Sequence, residues 1–233
     1  MSPLLELVVA RHAEDLAWLR RVPREFRITV YDKGDGSSGG IPLPNLGREA
    51  HTYLHHLTAR LDSLAAVTVF VQGHPFDHAP DLHERLKALA GGGENVADFR
   101  WLGFLAETDD ARGRRLFVPW SKNPAREELD LDGFHQRLFG RPGPADYRFF
   151  VGGQFVVTLA AAVGRDADFY RAAGRLAAEF PHAPHCFERC WDRVFGVEGT
   201  AGRLPADQLT AFFKPIRRLA PAKDRLVPPG ESR

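Results

Sequence analysis

A short run of β-branched and apolar residues, Val67-Thr-Val-Phe-Val71, breaks off abruptly into a polar loop holding Gln72, His74, Asp77 and His78. Such a run, bounded by turn residues, reads as a strand inside a sheet. Leu4 to Ala10 is a second, interrupted only by Glu6, and suits a largely buried strand. Arg27 to Tyr31 alternates and is a third, with a short helix carrying Leu16, Trp18 and Leu19 between them. Strand, helix and strand at this length form a βαβ unit, which predicts an α/β fold with a mainly parallel sheet. Ligands of open α/β sheets sit outside the carboxyl ends of the strands, which directs attention to the loop after Val71.

Asp32 to Gly40 contains four glycines and two serines and reads as a loop. Arg48 to Leu61 has helical spacing: Ala50, Tyr53, Leu54, Leu57 and Leu61 form its core face, with Arg48, His51, His55 and Asp62 on an adjacent polar stripe. A helix is expected from Asp81 to Ala90, stopped by Gly91-Gly92-Gly93, and a strand from Phe99 to Leu105. Glu107 to Arg115 reads as a charged loop. Asn123-Pro124 has the form of an N-cap with proline at the first helical position, predicting a helix to Phe139. Tyr147 to Val157 reads as one strand carrying Gly152-Gly153. Helices follow at Asp166–Glu179, Pro184–Phe195 and Pro205–Leu219. The expected organisation is one α/β unit over residues 1–219 and a disordered tail over 220–233, which holds three prolines and no periodicity.

The chain has 233 residues, 44% of them hydrophobic, with seventeen Phe and four Trp, ample for a packed core. Its 31 basic and 30 acidic residues nearly cancel. A nucleic-acid binder needs clustered Lys and Arg, so that class is disfavoured. No run approaches the roughly 20 apolar residues of a membrane span, and the first residues read as a strand rather than a signal peptide. A cytoplasmic location is expected. Cys186 and Cys190 are the only cysteines, and buried reduced thiols are the expectation.

Five groups of residues carry candidate chemistry. His74, Asp77 and His78 offer imidazole and carboxylate to a metal ion or a proton, although Pro75 breaks the helical spacing that makes paired histidines diagnostic. The plain alternative is Asp77 capping the next helix. Arg48-Glu49 stands at a helix start, where free N–H groups and Arg48 favour an anion; Glu49 complementing the helix dipole explains the pair equally well. Arg11, His12, Glu14 and Asp15 follow the first strand, where doubly wound folds place a nucleotide, but neither Gly-x-Gly-x-x-Gly nor a Walker lysine accompanies them, and Asp15 or Glu14 capping the next helix is the plain alternative. Gly152-Gly153-Gln154-Phe155 signals a bulge or a close backbone approach to a ligand, and a tight bend alone explains the paired glycines equally well. His185 and Glu188, three apart, share a helix face downstream of His182.

Several segments, in order over residues 5–196, resemble the motifs of an uncharacterised domain-of-unknown-function family of bacteria and fungi. They are Val8-Val-Ala-Arg-His-Ala-Glu-Asp-Leu-Ala-Trp-Leu, Asn45-Leu-Gly-Arg-Glu-Ala-His-Thr-Tyr-Leu, Val69-Phe-Val-Gln-Gly-His-Pro-Phe-Asp-His, Gly152-Gly-Gln-Phe-Val-Val and Glu188-Arg-Cys-Trp. The opening Val-Val-Ala-Arg-x-x-Glu-Asp and Asn45-x-Gly-Arg-Glu are also similar to segments of GT-A glycosyltransferases. That likeness implies a Rossmann-like GT-A fold and transfer of a sugar from a nucleotide-sugar donor. Arg11, Glu14 and Asp32 would then line the nucleotide end, with Arg48 and Glu49 behind the donor and Gln72 and Gln154 against the substrate. Asp77 and His78 would meet a divalent cation, Mn or Mg, or the diphosphate, and Glu188 would be the acceptor-side base. The Asp-x-Asp metal motif of GT-A enzymes is missing at this position. The alternatives are a metal-dependent hydrolase built on His74, Asp77 and His78, with His182 or His185, and a non-catalytic carbohydrate- or partner-binding protein.

Overall fold

The computed structural model describes residues 4–93, 96 and 98–197, and a strand at 210–212. Its frame is a six-stranded sheet in the order β3-β2-β1-β4-β8-β5. The strands are β1 (Leu5–Arg11), β2 (Phe26–Asp32), β3 (Ile41–Pro42), β4 (Val67–Gln72), β5 (Phe99–Trp101) and β8 (Phe155–Thr158). β1 pairs in parallel with both β2 and β4, and β3 runs parallel to β2. β8 is antiparallel to its neighbours β4 and β5. The expected mixed, mainly parallel sheet flanked by helices is therefore the fold.

Both faces of the central strands are covered. Leu7, Val9, Val69 and Val71 pack on one side with Leu82, Leu86 and Leu89 of α2 (Leu82–Ala90). Val8 and Phe70 face the other side, against Tyr53, Leu54 and Leu57 of α1 (Arg48–Arg60). Each of these large apolar side chains contributes about 1.5–3 kcal/mol by leaving water. The core face read from helical spacing in α1 is buried, except that Leu61 lies just past its end and is half-buried.

A second, three-stranded sheet has the order β7-β6-β9. It comprises β6 (Leu105–Asp110), β7 (Asp146–Phe150) and β9 (Thr210–Phe212), with antiparallel pairing on both sides of β6. β6 lies where a charged loop was expected. Its Leu-Ala-Glu-Thr-Asp-Asp sequence hides a strand, because Ala106, Thr108 and Asp109 are all buried and Asp109 is neutralised by a distant arginine. The strand expected over 147–157 is two strands in two sheets. Gly152 and Gly153, at φ +98° and +59°, turn the chain from β7 into β8. The expected strand 99–105 likewise ends at Trp101.

Asn123 starts no helix. Its amide donates to the Phe117 and Glu127 carbonyls and its oxygen accepts the Glu127 N–H, which closes a loop. The helix α3 (Leu131–Phe139) begins eight residues later, capped by Asp130. A short α4 (Leu159–Ala162) leads to α5 (Ala167–Glu179), and the last expected helix divides into α6 (Ala183–Glu188) and α7 (Trp191–Val194). Within the helix expected at 205–219, residues Thr210–Phe212 form a strand. The rest of that segment and the expected tail 220–233 lie outside the described residues. Cys186 and Cys190 are buried and unbonded, as expected, and burial raises the Cys186 thiol to about 12. No helix among the described residues is long and apolar enough to cross a membrane.

Candidate functional site

The strand order reverses between β1 and β4, because β2 departs to one side of β1 and β4 lies on the other. A crevice opens at such a point, beyond the carboxyl ends of the strands. Here it is a cleft of about 980 Å³ bounded by Arg11 of β1, Gln72 of β4, the start of α1, the loop after β4, and α6. β6 and the loop after it form a further wall through Glu107, Phe117 and Trp120.

Of the residues singled out in the sequence, Arg11, Glu14, Arg48, Glu49, Gln72, Asp77, His78 and Glu188 all border this cleft. Asp32 and Gln154 lie behind it. Arg11 and Asp32 are register partners at the ends of β1 and β2, and their side chains pair at 2.7 Å. Arg11 also donates to the Glu14 carbonyl, Asp35 and Ser37, while Asp32 accepts from Gly34 N–H and the Ser38 hydroxyl. This network pins the glycine-rich loop. Glu14 accepts the His12 and Ala13 N–H groups. Asp15 accepts the Ala17 N–H at the start of a short 3-10 turn.

The Gly152-Gly153 bend organises the centre. Gly152 N–H donates to Glu188 at 2.6 Å, and its carbonyl accepts from the Gln72 amide at 3.0 Å. The side-chain oxygen of Gln154 accepts the Gln72 N–H, and its amide donates to the Pro75 carbonyl. Gln154 therefore supports the loop after β4 from beneath. A Cβ on Gly152 would stand 2.4 Å from the His78 ring, so glycine is what lets His78 into the cleft. Arg189, buried beside Glu188, is held by Asp109 at 2.6 Å and lies over the Phe149 ring. Asp109 also accepts N–H groups from Asp110, Arg115, Leu116 and Phe117. Sequence reasoning missed this pair: its members are 80 positions apart, and Asp109 sat in an expected loop.

Two carboxylates in the cleft have opposite electrostatics. Burial, with the charge of Glu188 in support, pushes Glu49 up to about 7 against its own N–H, Arg48 and Lys33. No side chain among the described residues donates a hydrogen bond to Glu49. Burial would raise Glu188 too, but its contact with His185, the Arg189 charge and the Gly152 N–H hold it below the ordinary range. Lys33, missed in the sequence, borders the same space and donates to the Leu46 and Arg48 carbonyls. Burial lowers its ammonium to about 8. These bonds hold the start of α1, where Gly47 and Arg48 have φ of +57° and +48°.

Among the described residues, no three His, Cys, Asp or Glu side chains converge as a metal site. His74 and Asp77 are 3.5 Å apart and exposed, His182 turns to Glu127 at 2.7 Å, and His185 stays near Glu188 at 4.0 Å. Asp77 caps no helix, since α2 begins five residues later. Burial lowers the His78 imidazole, with the Lys122 charge in support and against the nearby Glu188 and Asp77 carboxylates.

Residues 7–90 match a family described as a protein of unknown function, DUF3431. The DUF3431 match spans β1 to α2, and so takes in one wall of the cleft with Arg11, Glu14, Glu49, Asp77 and His78. It bears out the resemblance to a domain-of-unknown-function family for that segment. The wall carrying Glu107, Trp120 and Glu188 lies outside it. No curated protein shows significant similarity to the chain.

Proposed function

We propose that this protein transfers a sugar from a nucleotide-sugar donor to an acceptor hydroxyl. The observation that supports this best is the pair Glu49 and Glu188 in one cleft at the strand-order reversal, their ionisation set apart by their surroundings. Carboxyls with pKa values driven apart mark divided acid, base and electrostatic roles. A group near 7 is matched to proton transfer at neutral pH. Glu49 is therefore the better base, and removes the acceptor hydroxyl proton as that oxygen attacks the sugar. Glu188, fixed as an anion by Gly152 N–H and Arg189, offsets positive charge growing at the sugar carbon. This exchanges the role the sequence reading gave to Glu188.

Lys33 and Arg48 supply cationic character at the α1 end, where the donor diphosphate would lie. Asp77 and His78 would hold a divalent ion with the diphosphate oxygens completing its coordination; such an ion neutralises the leaving group when bound. A hydrolase with a preassembled three-ligand metal site is less favoured, because its side chains diverge.

Calorimetric titration with UDP and GDP, with and without Mn²⁺, tests the reading. Nucleotide binding that Asp77→Ala weakens and Glu49→Gln leaves intact, with transfer lost in Glu49→Gln, is expected. Failure of both nucleotides to bind in either condition overturns it.

A further inference from the structure

The wall formed by β6 and the loop after it carries a feature that the carboxylates do not explain. Trp120 borders the open space, half-buried, with the His185 ring edge-on at 5.2 Å and the Phe117 ring at 6.4 Å. The Lys122 ammonium lies over one face of the Trp120 ring, 5.7 Å from its centre, and borders the same space. The loop that carries this tryptophan is fixed in advance. Trp120 N–H donates to the Phe117 carbonyl and its own carbonyl accepts from Asn123. Asn123 is bonded three ways, and Asp109 binds the backbone at Arg115, Leu116 and Phe117. His185 contacts Trp120 on one side and lies 4.0 Å from Glu188 on the other. A ring resting on Trp120 is thus close to the acidic centre.

We propose that Trp120 and Lys122 form a sugar-stacking subsite, so that the acceptor is itself a carbohydrate, held with the apolar face of a pyranose ring on the indole. An indole offers a flat apolar body that stacks on such a face, and its rigidity keeps the entropic cost of binding low. Lys122, on a flexible stem, would swing from over the indole to donate to the sugar's hydroxyls, and few well-placed polar groups beside an apolar wall are what orient a small ligand. The inference rests on the transferase reading and names the acceptor class for it. The nucleobase of the donor is the competing occupant of an aromatic wall. Trp120 touches His185, which lies 4.0 Å from Glu188, the carboxylate set against the sugar carbon, and this favours the acceptor.

Wild-type protein, Trp120→Ala, Trp120→Phe and Lys122→Ala, each as the full chain, are screened on a glycan array. The glycan bound is then titrated calorimetrically, beside UDP and GDP. Wild type is expected to bind a glycan, Trp120→Ala to bind it about tenfold more weakly or worse, and Trp120→Phe to recover much of the loss. Lys122→Ala is expected to lose less. Nucleotide affinity stays unchanged in the two Trp120 variants, and unchanged melting temperatures in all three exclude a folding defect. If Trp120→Ala weakens nucleotide rather than glycan binding, Trp120 serves the base and the inference falls. Nucleotide binding with no glycan bound by wild type also overturns it, and leaves the transferase reading standing. Tryptophan-dependent glycan binding without nucleotide binding keeps the sugar subsite while the transferase reading fails.

Discussion

Glu49 illustrates how one residue's surroundings reach into both stability and chemistry. Its carboxyl keeps a proton up to about pH 7 in the folded protein, against an ordinary 4.5. Between those values the unfolded chain releases the proton while the folded one retains it, so this group makes stability fall as pH rises and level off above 7. Glu49→Gln should therefore be more stable than wild type at pH 8, by roughly 1–3 kcal/mol, with the difference gone near pH 4; urea denaturation at the two pH values reads it. Transfer by the wild type should rise with pH through about 7, since the base must be free of its proton, and a flat profile would remove Glu49 from that role. Gly152 sets the complementary limit. Alanine there meets the His78 ring and must hold φ near +98°, so Gly152→Ala should cost about 2–3 kcal/mol and displace His78; denaturation together with the His78 imidazole resonance checks this. The residues bordering the cleft were mostly legible in the sequence. Their division of labour was not, because Arg11 looked like a ligand donor until Asp32, 21 positions away, was seen to occupy it.

Elements with one clear periodicity were read closely. The helix expected at 48–61 is Arg48–Arg60, and β1, β2 and β4 lie within a residue or two of expectation. Elements failed where tertiary partners decided them. β6 shows neither clean alternation nor an apolar run, and it is a strand because β7 and β9 pair with it and Arg189 meets its buried Asp109. Gly152-Gly153 signals a bulge or a tight bend, yet only the three-dimensional arrangement shows the chain changing sheets there. The weight resting on Asp109 gives a prediction at this scale. Asp109→Ala strands a buried guanidinium and the backbone amides of the following loop, so it should destabilise by about 3–5 kcal/mol. It should also loosen the Trp120 loop, seen as faster amide exchange over 115–117 than in the wild type. Protection equal to wild type would mean that the loop is held by something else.

Across the molecule, Glu6 adds to the acid limit of stability from outside the cleft. Glu6 lies inside β1 with its side chain only 1% exposed, bonded by Arg27 and Thr29 and 3.6 Å from His56. Burial alone would raise it, but its contacts with His56, Arg27 and Thr29 prevail and hold it at about 2. Its contribution is therefore complete above the unfolded value near 4.5 and is lost as pH falls from there towards 2. Glu6→Gln should lower stability by about 3 kcal/mol at pH 7 and by little at pH 2, measured by denaturant midpoints. The same large sheet has a further consequence through β8. This strand, Phe155–Thr158, returns from far along the chain to pair with β4 over Val67–Phe70. The DUF3431 match ends at residue 90, well before it. A polypeptide cut there would present the backbone of β4 as an open template, flanked by apolar side chains stripped of cover, and such edges recruit other chains. The stretch that matches the family is thus smaller than the stretch needed to cover its own central strand.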